Sequence, residues 1–552
     1  MIAPGSDAPL ISDAGDSALL LSLGEVIDPG VNGRAIAIAA AVLREAIPGV
    51  RDVVPTFRSV ALFFDPLATD VAAARAALER ASAERGVIAE RPVIEVPVSY
   101  GGEDGPDLGD VAAFAGCTPQ DVIDRHASDT YRVFMLGFLP GFAYMGTVDP
   151  AIAAPRRDSP RLRVPAGAVG IAGRQTGIYP RESPGGWQLI GRTAVSVFEP
   201  ARTPAALFAP GDRVRFVPVP ADVVSGFSRT ADQVRLKADT TRDGAGPHIT
   251  VLRPGLLTTI QDEGRWGHQG SGVAVSGPMD AFAHRLANAL VGNPRDAATL
   301  EATLMGPELR IEQPTVVAVT GGDLGVTLEK TDLPRNTAVH CEAGSVIRFG
   351  ARRSGARAYV AFAGGIEVPG VLGSRATHVL SGLGGVEGRA VRAGDRLPLG
   401  EPASAPVRRP APRSAASGIA RLRVLPGPQD RYFPAGGLES IQRTRFTISA
   451  QSDRMGYRLV PESPIPLHAT GDMISDVTFP GGLQIPPSGH PILLMADRQT
   501  TGGYPQIATV ISADLPAAGQ LAPGDSVEFQ VCTRAEAVAA LIAREGKLLA
   551  IG

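Results

Sequence analysis

The first ninety residues alternate between two hydrophobic periods. SALLLSLG (17–24) and the pair DVVPTF and SVALFFD (52–65) are compact apolar runs with strand character. RAIAIAAAVLREAI (34–47) and VAAARAALERASAER (71–85) are rich in Ala and Leu and read as helices. A β-α-β-β-α order of this size predicts a small α+β sandwich of ferredoxin-like character. After RPVIEVPVSYGG the texture changes. One further helix is expected around 107–125, and then short apolar runs separated by Gly and Pro continue to VRFVPV (214–219). Many short strands with frequent turns indicate a barrel or a sandwich.

Two polar stretches without a period divide the rest. Residues 221–247 read as an inter-domain linker, and so does the Pro/Ala/Ser-rich segment at 401–418. There is also an internal echo. VPAGAVGIAGRQTGIYP (164–180) is answered by IPPSGHPILLMADRQTTGGYP (485–505), and APGDRVRF (209–216) by APGDSVEF (522–529). Weaker copies of the closing run occur at AGSVIRF (343–349) and AGDRLPL (393–399). One β-barrel module used about three times explains this repetition. The expected architecture is α+β and predominantly β: a small α/β domain at 1–90, a barrel at 91–220, the linker, a second barrel at 248–400, the Pro/Ala-rich linker, and a third barrel at 419–552.

Composition narrows the chemistry. The 552 residues carry 53 basic and 56 acidic side chains, a net charge of −3, which argues against nucleic acid as a partner. Gly (65) and Pro (48) are abundant without a collagen-like period, consistent with many turns. The lysines are Lys237, Lys330 and Lys547, none in a P-loop and none in the Met-Lys-Met context of a biotin carrier. No Walker-type ATP site and no attached biotin are therefore expected. Cys117, Cys341 and Cys532 are few and far apart, which fits a reducing compartment and neither a disulfide framework nor a zinc site. The start of the chain lacks a basic n-region, and the longest apolar stretch, at 35–43, is too short to span a bilayer. A cytoplasmic protein with no membrane partner is expected.

Four segments carry candidate chemistry. YRVFMLGFLPGFAYMG (131–146) places aromatics in a Pro-Gly loop where an exposed turn would be polar, so it suits a pocket wall. PRRDSPRLRVPAG (155–167) clusters Arg156, Arg157 and Arg161, guanidinium forks that match carboxylates and phosphates. His126, nearby in sequence, is a candidate acid-base group against the commoner reading of a structural histidine. Gln175, Thr176 and Tyr179 in the first repeat, with Gln499, Thr500 and Tyr504 in the second, offer amide, hydroxyl and phenol groups for an amide or carboxylate ligand; a purely structural repeat is the rival. TTIQDEGRWGHQGSGVAVSGPMD (258–280) is the densest polar run, with Gln261, Asp262, Arg265 and Asp280 either as tuned catalytic groups or as a salt-bridge lattice. No metal-ligand cluster, nucleophile elbow or dinucleotide fingerprint is present.

These same motifs carry a family resemblance. GFLPGFAYMG, the run from PRRDSP through GRQTGIYPRESPGGW, and LFAPGDRVRF resemble the B subunit of bacterial 5-oxoprolinase. TTIQDEGRWGHQGSGVAVSGPMD, ANALVGNP, LEATLMGPEL, LQIPP and DRQTTGGYPQIATVISADL resemble its C subunit. Nearly the whole chain is covered, in B-then-C order, with 221–247 as the joint. The resemblance implies a small α/β domain and cyclophilin-like β-barrels. It also implies ATP-dependent opening of 5-oxo-L-proline to L-glutamate, with ATP and magnesium as co-substrate and a separate 5-oxoprolinase A-type protein as partner. On this reading the candidate catalytic residues are Asp262, Arg265, Asp280 and His126, and the remaining named residues are the candidates for substrate binding. The same modules occur in the carboxyltransferase part of urea carboxylase and in a kinase inhibitor with its antagonist. Carboxyl transfer to urea or a related amide, and regulation of a histidine kinase, are therefore the alternatives. A homodimer is plausible for such a fusion.

Overall fold

The computed structural model describes residues 9–83, 91–221, 246–403, 419–468 and 473–550. Most of both expected linkers, 221–247 and 401–418, lies outside the described residues. In the N-terminal unit the strands run Leu10–Asp13, Ala18–Ser22, Ser59–Phe64, Val50–Pro55 across one antiparallel sheet. Helix Pro29–Arg44 starts where the Asp28 side chain accepts the amides of Gly30 and Val31 at 2.8 and 2.9 Å, with proline at its first position. Ala35, Ile38, Ala39 and Val42, spaced at helical period, bury its inner face. This helix and Val71–Ala83 cover one side of the sheet, against Val60, Leu62 and Phe64. The other side is also buried: Ala61 and Phe63 pack on Val477 and Phe479 of the C-terminal half, the two phenyl centroids 5.5 Å apart. The small unit thus docks onto the far end of the chain as well as its own barrel.

The first barrel is closed. Around it run Gln175–Ile178, Ala143–Gly146, Tyr131–Leu136, Arg213–Pro218, Val93–Tyr100, Gln188–Arg192 and Ala168–Ala172. A second closed barrel has Ile492–Leu494, Gly456–Pro461, Phe446–Ile448, Ser526–Val531, Ala420–Pro426, Gln506–Val510 and Gly482–Gln484 in the same cyclic order. In each, the first and last strands pair in parallel (Val93–Tyr100 with Arg213–Pro218, Ala420–Pro426 with Ser526–Val531) while the other pairs are antiparallel. The repeated A-P-G-D has one geometry in both. Asp212 Oδ2 accepts the Ala209 amide and Asp525 Oδ2 the Ala522 amide, each at 2.8 Å, with Gly211 and Gly524 in the left-handed region.

The R-Q-T echo is not equivalent in this way. Gln175 and Thr176 sit inside a barrel strand, whereas Gln499 and Thr500 follow Ile492–Leu494 in the connection to Thr501–Gly502. The span 248–400 also departs from a closed barrel. Its strands form a six-stranded and a five-stranded sheet around one core. Helix Ala281–Leu290 covers the outer face of the latter, packing on Ala318, Tyr359 and Ala361. That sheet has both faces occupied and stays open. No helix among the described residues is long and apolar enough to cross a membrane.

Candidate active site at the junction of the two halves

The Pro-Gly loop after Tyr131–Leu136 meets the second barrel so closely that a Cβ built on Gly137 would lie 2.1 Å from Thr501 Oγ1. The Phe138 amide, on a residue with φ +64°, donates to that hydroxyl at 3.1 Å. Behind the loop stands an aromatic wall. The Phe142 ring lies 5.0 to 5.4 Å from Tyr144, Tyr179 and Trp187, each edge to face. Leu380 and Ile474, both from the C-terminal half, close against this wall with Phe138. Burial pushes the Tyr179 phenol up to about 12; its hydroxyl bonds the Trp187 backbone, and Arg156 and Arg161 stand nearby. Burial likewise raises Tyr144, beside Thr501 and Arg156. Both phenols are neutral donors at neutral pH.

Polar groups without partners gather along the loop that carries Leu380. His378 is 4% exposed and neither ring nitrogen makes a hydrogen bond of normal geometry. Its pKa is depressed by burial, against the opposing pull of Asp497. Ser381 Oγ is buried and unpartnered, as are Ser183 Oγ and Arg181 Nε on the barrel side. The Arg181 guanidinium lies 3.1 Å from where a Gly382 Cβ would stand, so that glycine admits the arginine to the junction. Burial lowers the Arg181 pKa, and among the described residues it has no ion pair to offset the cost. Buried polar atoms are normally satisfied, so these exceptions beside an aromatic wall make the junction a candidate ligand site.

The sequence-predicted residues divide into those that border this junction and those that hold it. Asp262 accepts Ser374 Oγ at 2.6 Å, the Gly264 amide at 3.0 Å and the Arg375 amide. Arg265, 1% exposed, donates to the carbonyls of Val371 and Ala376, each at 2.8 Å. Gln261 donates to the Thr377 carbonyl at 3.1 Å. All three hold the loop leading into His378. Arg265 Nη1 and Gln261 Oε1 remain buried without a partner. Asp280 is elsewhere. It caps helix Ala281–Leu290 through the Ala283 amide and accepts Gln520 Nε2 at 2.7 Å.

On the barrel side, Arg157 and Arg161 are committed to Asp107 at 3.0 and 2.6 Å, and that buried carboxylate also receives the Leu189 amide. Arg156 is exposed near Tyr144 and Tyr179. His126 lies in the barrel core and not at the junction. Its Nδ1 pairs with Tyr100 Oη at 2.8 Å and its Nε2 with Thr176 Oγ1 at 2.9 Å, while the ring stacks on Phe216 at 4.7 Å. Burial holds it down to about 3, so it stays neutral and serves the core. Thr176 is thereby occupied, and Gln175 is half-buried in the strand. Thr500 Oγ1 is buried and unpartnered next to Thr501; Gln499 is half-buried and Tyr504 is 42% exposed. Sequence reasoning missed Arg181, Ser183, His378 and Ser381. The available signal was a lone histidine entering a Gly-rich turn, THVLSGLGG.

Beneath the junction lies a buried charge network. Arg454 makes a two-pronged pair with Asp497, both contacts 2.9 Å, and a further pair with Glu301. Tyr359 Oη donates to Glu301 at 2.7 Å, and Arg357 donates to Tyr457 Oη at 2.7 Å. Asp497 receives Ser276 Oγ at 2.7 Å, tying the middle unit to the second barrel directly below His378. Among the described residues no group of three His, Cys, Asp or Glu side chains could hold a metal ion.

This two-half construction matches known proteins. Residues 9–208 match the family described as carboxyltransferase domain, subdomain C and D, and residues 271–531 match carboxyltransferase domain, subdomain A and B. The chain belongs to this carboxyltransferase-domain family. It is 44% identical to the B subunit of 5-oxoprolinase from Bacillus subtilis over 38% of this chain and 91% of that one. It is 37% identical to the C subunit of 5-oxoprolinase from Escherichia coli over 53% of this chain and 94% of that one. Urea amidolyase of Saccharomyces cerevisiae is 34% identical over 51% of this chain but only 16% of its own length. Among solved structures, that of TTHA0988 superposes with a TM-score of 0.80 at 37% identity, covering 93% of this chain and 99% of the other.

Proposed function

We propose that the chain is the fused B–C component of an ATP-dependent 5-oxoprolinase. It binds 5-oxo-L-proline at the junction of its halves and activates the lactam, and a separate A-type protein completes hydrolysis to L-glutamate. The supporting observation is the pairing of an aromatic wall with His378 and with polar atoms of Arg181, Ser183 and Ser381 that have no partner among the described residues. The substrate is a flat five-membered ring bearing an amide and a carboxylate. Phe138, Phe142 and Trp187 suit the ring, and the Arg181 guanidinium suits the carboxylate. The serine hydroxyls and the neutral imidazole suit the lactam N–H and carbonyl.

A lactam is resonance-stabilised and reacts poorly with water. Activation would form a bond from the lactam oxygen to the γ-phosphorus of ATP while the bond to the bridging oxygen breaks, releasing ADP. Loss of the N–H proton then leaves an imidate phosphate with an uncharged ring nitrogen; water adds to its carbon, the C–N bond breaks as the departing nitrogen is protonated, and a second water displaces phosphate from the resulting γ-glutamyl phosphate to give glutamate. Magnesium would arrive on the nucleotide phosphates. The neutral His378 is a candidate acceptor for the lactam proton.

Carboxyl transfer to urea is the second reading, favoured by the family description and the urea amidolyase match. It would require a separate biotin-carrying partner. Urea has no ring for the aromatic wall to hold. Calorimetric titration with 5-oxo-L-proline and, in parallel, urea separates the two. Saturable 5-oxoproline binding that weakens at least tenfold in Arg181→Ala supports the first reading. Binding of urea alone replaces it with the second.

A further inference from the structure

A cavity of ≈ 400 Å³ lies where the small unit, the middle sheets, the second barrel and the C-terminal helix Arg534–Leu549 converge. Five arginines line it, Arg51, Arg285, Arg295, Arg498 and Arg544, against the acids Asp65, Glu263 and Glu545. Three of the arginines are matched. Arg51 pairs with Asp65 at 2.6 Å, Arg285 bridges Glu263 and Glu545 at 2.6 and 3.0 Å, and Arg295 pairs with Glu263 at 2.9 Å. Glu263, squeezed between two guanidiniums, is held below the usual carboxylate range despite its burial.

Arg498 and Arg544 are the less closely paired: Asp52 acts on Arg498 from beyond Gln269, and Arg544 has Glu545 at 3.6 Å with Asp280 and Asp514 further off. Arg498 is 3% exposed and bonds neutral groups: its Nη2 donates to Gln269 Oε1 at 2.6 Å and its Nε to the Thr478 carbonyl at 3.4 Å. Asp52 stands behind Gln269 and accepts its side-chain amide at 3.1 Å. Arg544 Nη1 is shared between the carbonyls of Ser512 and Ala513, its Nη2 is 3.6 Å from Glu545, and its Nε is buried with no partner. A buried guanidinium held by carbonyls keeps a large desolvation cost unless an anion completes it. Apart from Ser17, Ser276 and Ser512, the rest of the lining is apolar, with Met495 and Leu515 beside the indole of Trp266, on which Arg51 stacks at 4.8 Å. A lining with two excess positive charges and an apolar shoulder fits a dianionic oxyanion on an organic body.

We propose that this cavity is a binding site for a phosphate-bearing anion, with Arg498 and Arg544 as its charge partners. The inference stands on the cavity and is independent of the oxoproline reading. Trp266 supplies the probe, because the chain has two tryptophans and the other, Trp187, belongs to the junction site. In a Trp187→Phe variant, Trp266 fluorescence is titrated with inorganic phosphate, ADP and ATP at constant ionic strength, with chloride as control. A saturable change is expected for phosphate-bearing anions and none for chloride, with affinity reduced at least tenfold in Arg544→Gln and partly kept in Arg544→Lys. ADP binding at least tenfold tighter than phosphate identifies a nucleotide; equal affinities identify free phosphate. If the tryptophan variant fails to fold, calorimetry on the unaltered chain reads the same titrations. No saturable binding of any of the three, or unchanged binding in folded Arg544→Gln, overturns the proposal.

Discussion

Gly137 and Thr501 belong to opposite halves of the chain, and the backbone of one reaches the side chain of the other with no space for a Cβ between them. The contact fixes the aromatic wall of the first barrel against the second barrel. Gly137→Ala forces the halves apart, whereas Thr501→Val keeps the shape but leaves the Phe138 amide without its acceptor, a loss of about 1–3 kcal/mol. Both variants should lower turnover of 5-oxoproline, Gly137→Ala more severely. Gly137→Ala should also lower the unfolding temperature, and calorimetry alongside the activity assay checks both expectations. A Gly137→Ala protein with normal turnover would mean the junction is not where substrate binds.

On the proposed reading, Arg181 serves binding and His378 serves chemistry. Arg181→Ala should raise KM for 5-oxoproline roughly 10–100-fold with a smaller change in kcat, as loss of a charge-assisted contact of about 1.5–3 kcal/mol predicts. His378→Ala should instead lower kcat, by about 100-fold or more if the imidazole moves a proton. Steady-state kinetics of the two folded variants shows whether the split exists.

The Arg454–Asp497 pair is buried and tied to Glu301. Asp497→Asn leaves a guanidinium under-compensated in the interior and should cost about 3–5 kcal/mol in urea unfolding. Replacement of an exposed pair such as Arg445–Glu528 should change stability by less than about 1 kcal/mol.

His126 makes a pH-dependent contribution of predictable sign. Its folded pKa is depressed to about 3 from the ordinary histidine value of 6.5. Between those values the unfolded chain binds a proton that the folded chain does not. This contribution is therefore complete above about 6.5 and is lost as the pH falls toward 3, with a slope of up to about 1.4 kcal/mol per pH unit. His126→Phe should be less stable at neutral pH, because Tyr100 and Thr176 lose their partner, yet its stability should fall less steeply below about pH 6.5. Parallel urea titrations of both proteins at about pH 5 and about pH 7 measure the difference.

Much of the architecture was legible because it is written locally. Helical spacing marked the two helices of the small unit, and the A-P-G-D repeat marked a turn whose aspartate caps its own backbone in both barrels. The aromatic character of the Pro-Gly loop was legible because Phe138, Phe142 and Tyr144 stand where an exposed turn would be polar, and they join one buried aromatic cluster. The polar half of the site was not legible. Asp262 and Arg265 are catalytic candidates in sequence and Gln261 a binding candidate, but hydrogen bonds from all three run to a loop more than a hundred residues away, a contact that sequence does not display. His378 and Ser381 lie in a Gly-rich turn whose importance comes from the first barrel packed against it. His126 resembled an acid-base group because sequence alone does not show that Tyr100, Thr176 and Phe216 enclose it.

The central claim is tested most directly by glutamate and ADP release from 5-oxo-L-proline and Mg-ATP, using the purified chain with and without a folded A-type 5-oxoprolinase protein from the same source. The account predicts glutamate and ADP in equal amounts only when both proteins are present, and loss of both products with Arg181→Ala at low substrate. Absence of glutamate, with no ATP consumption stimulated by 5-oxoproline, would contradict it.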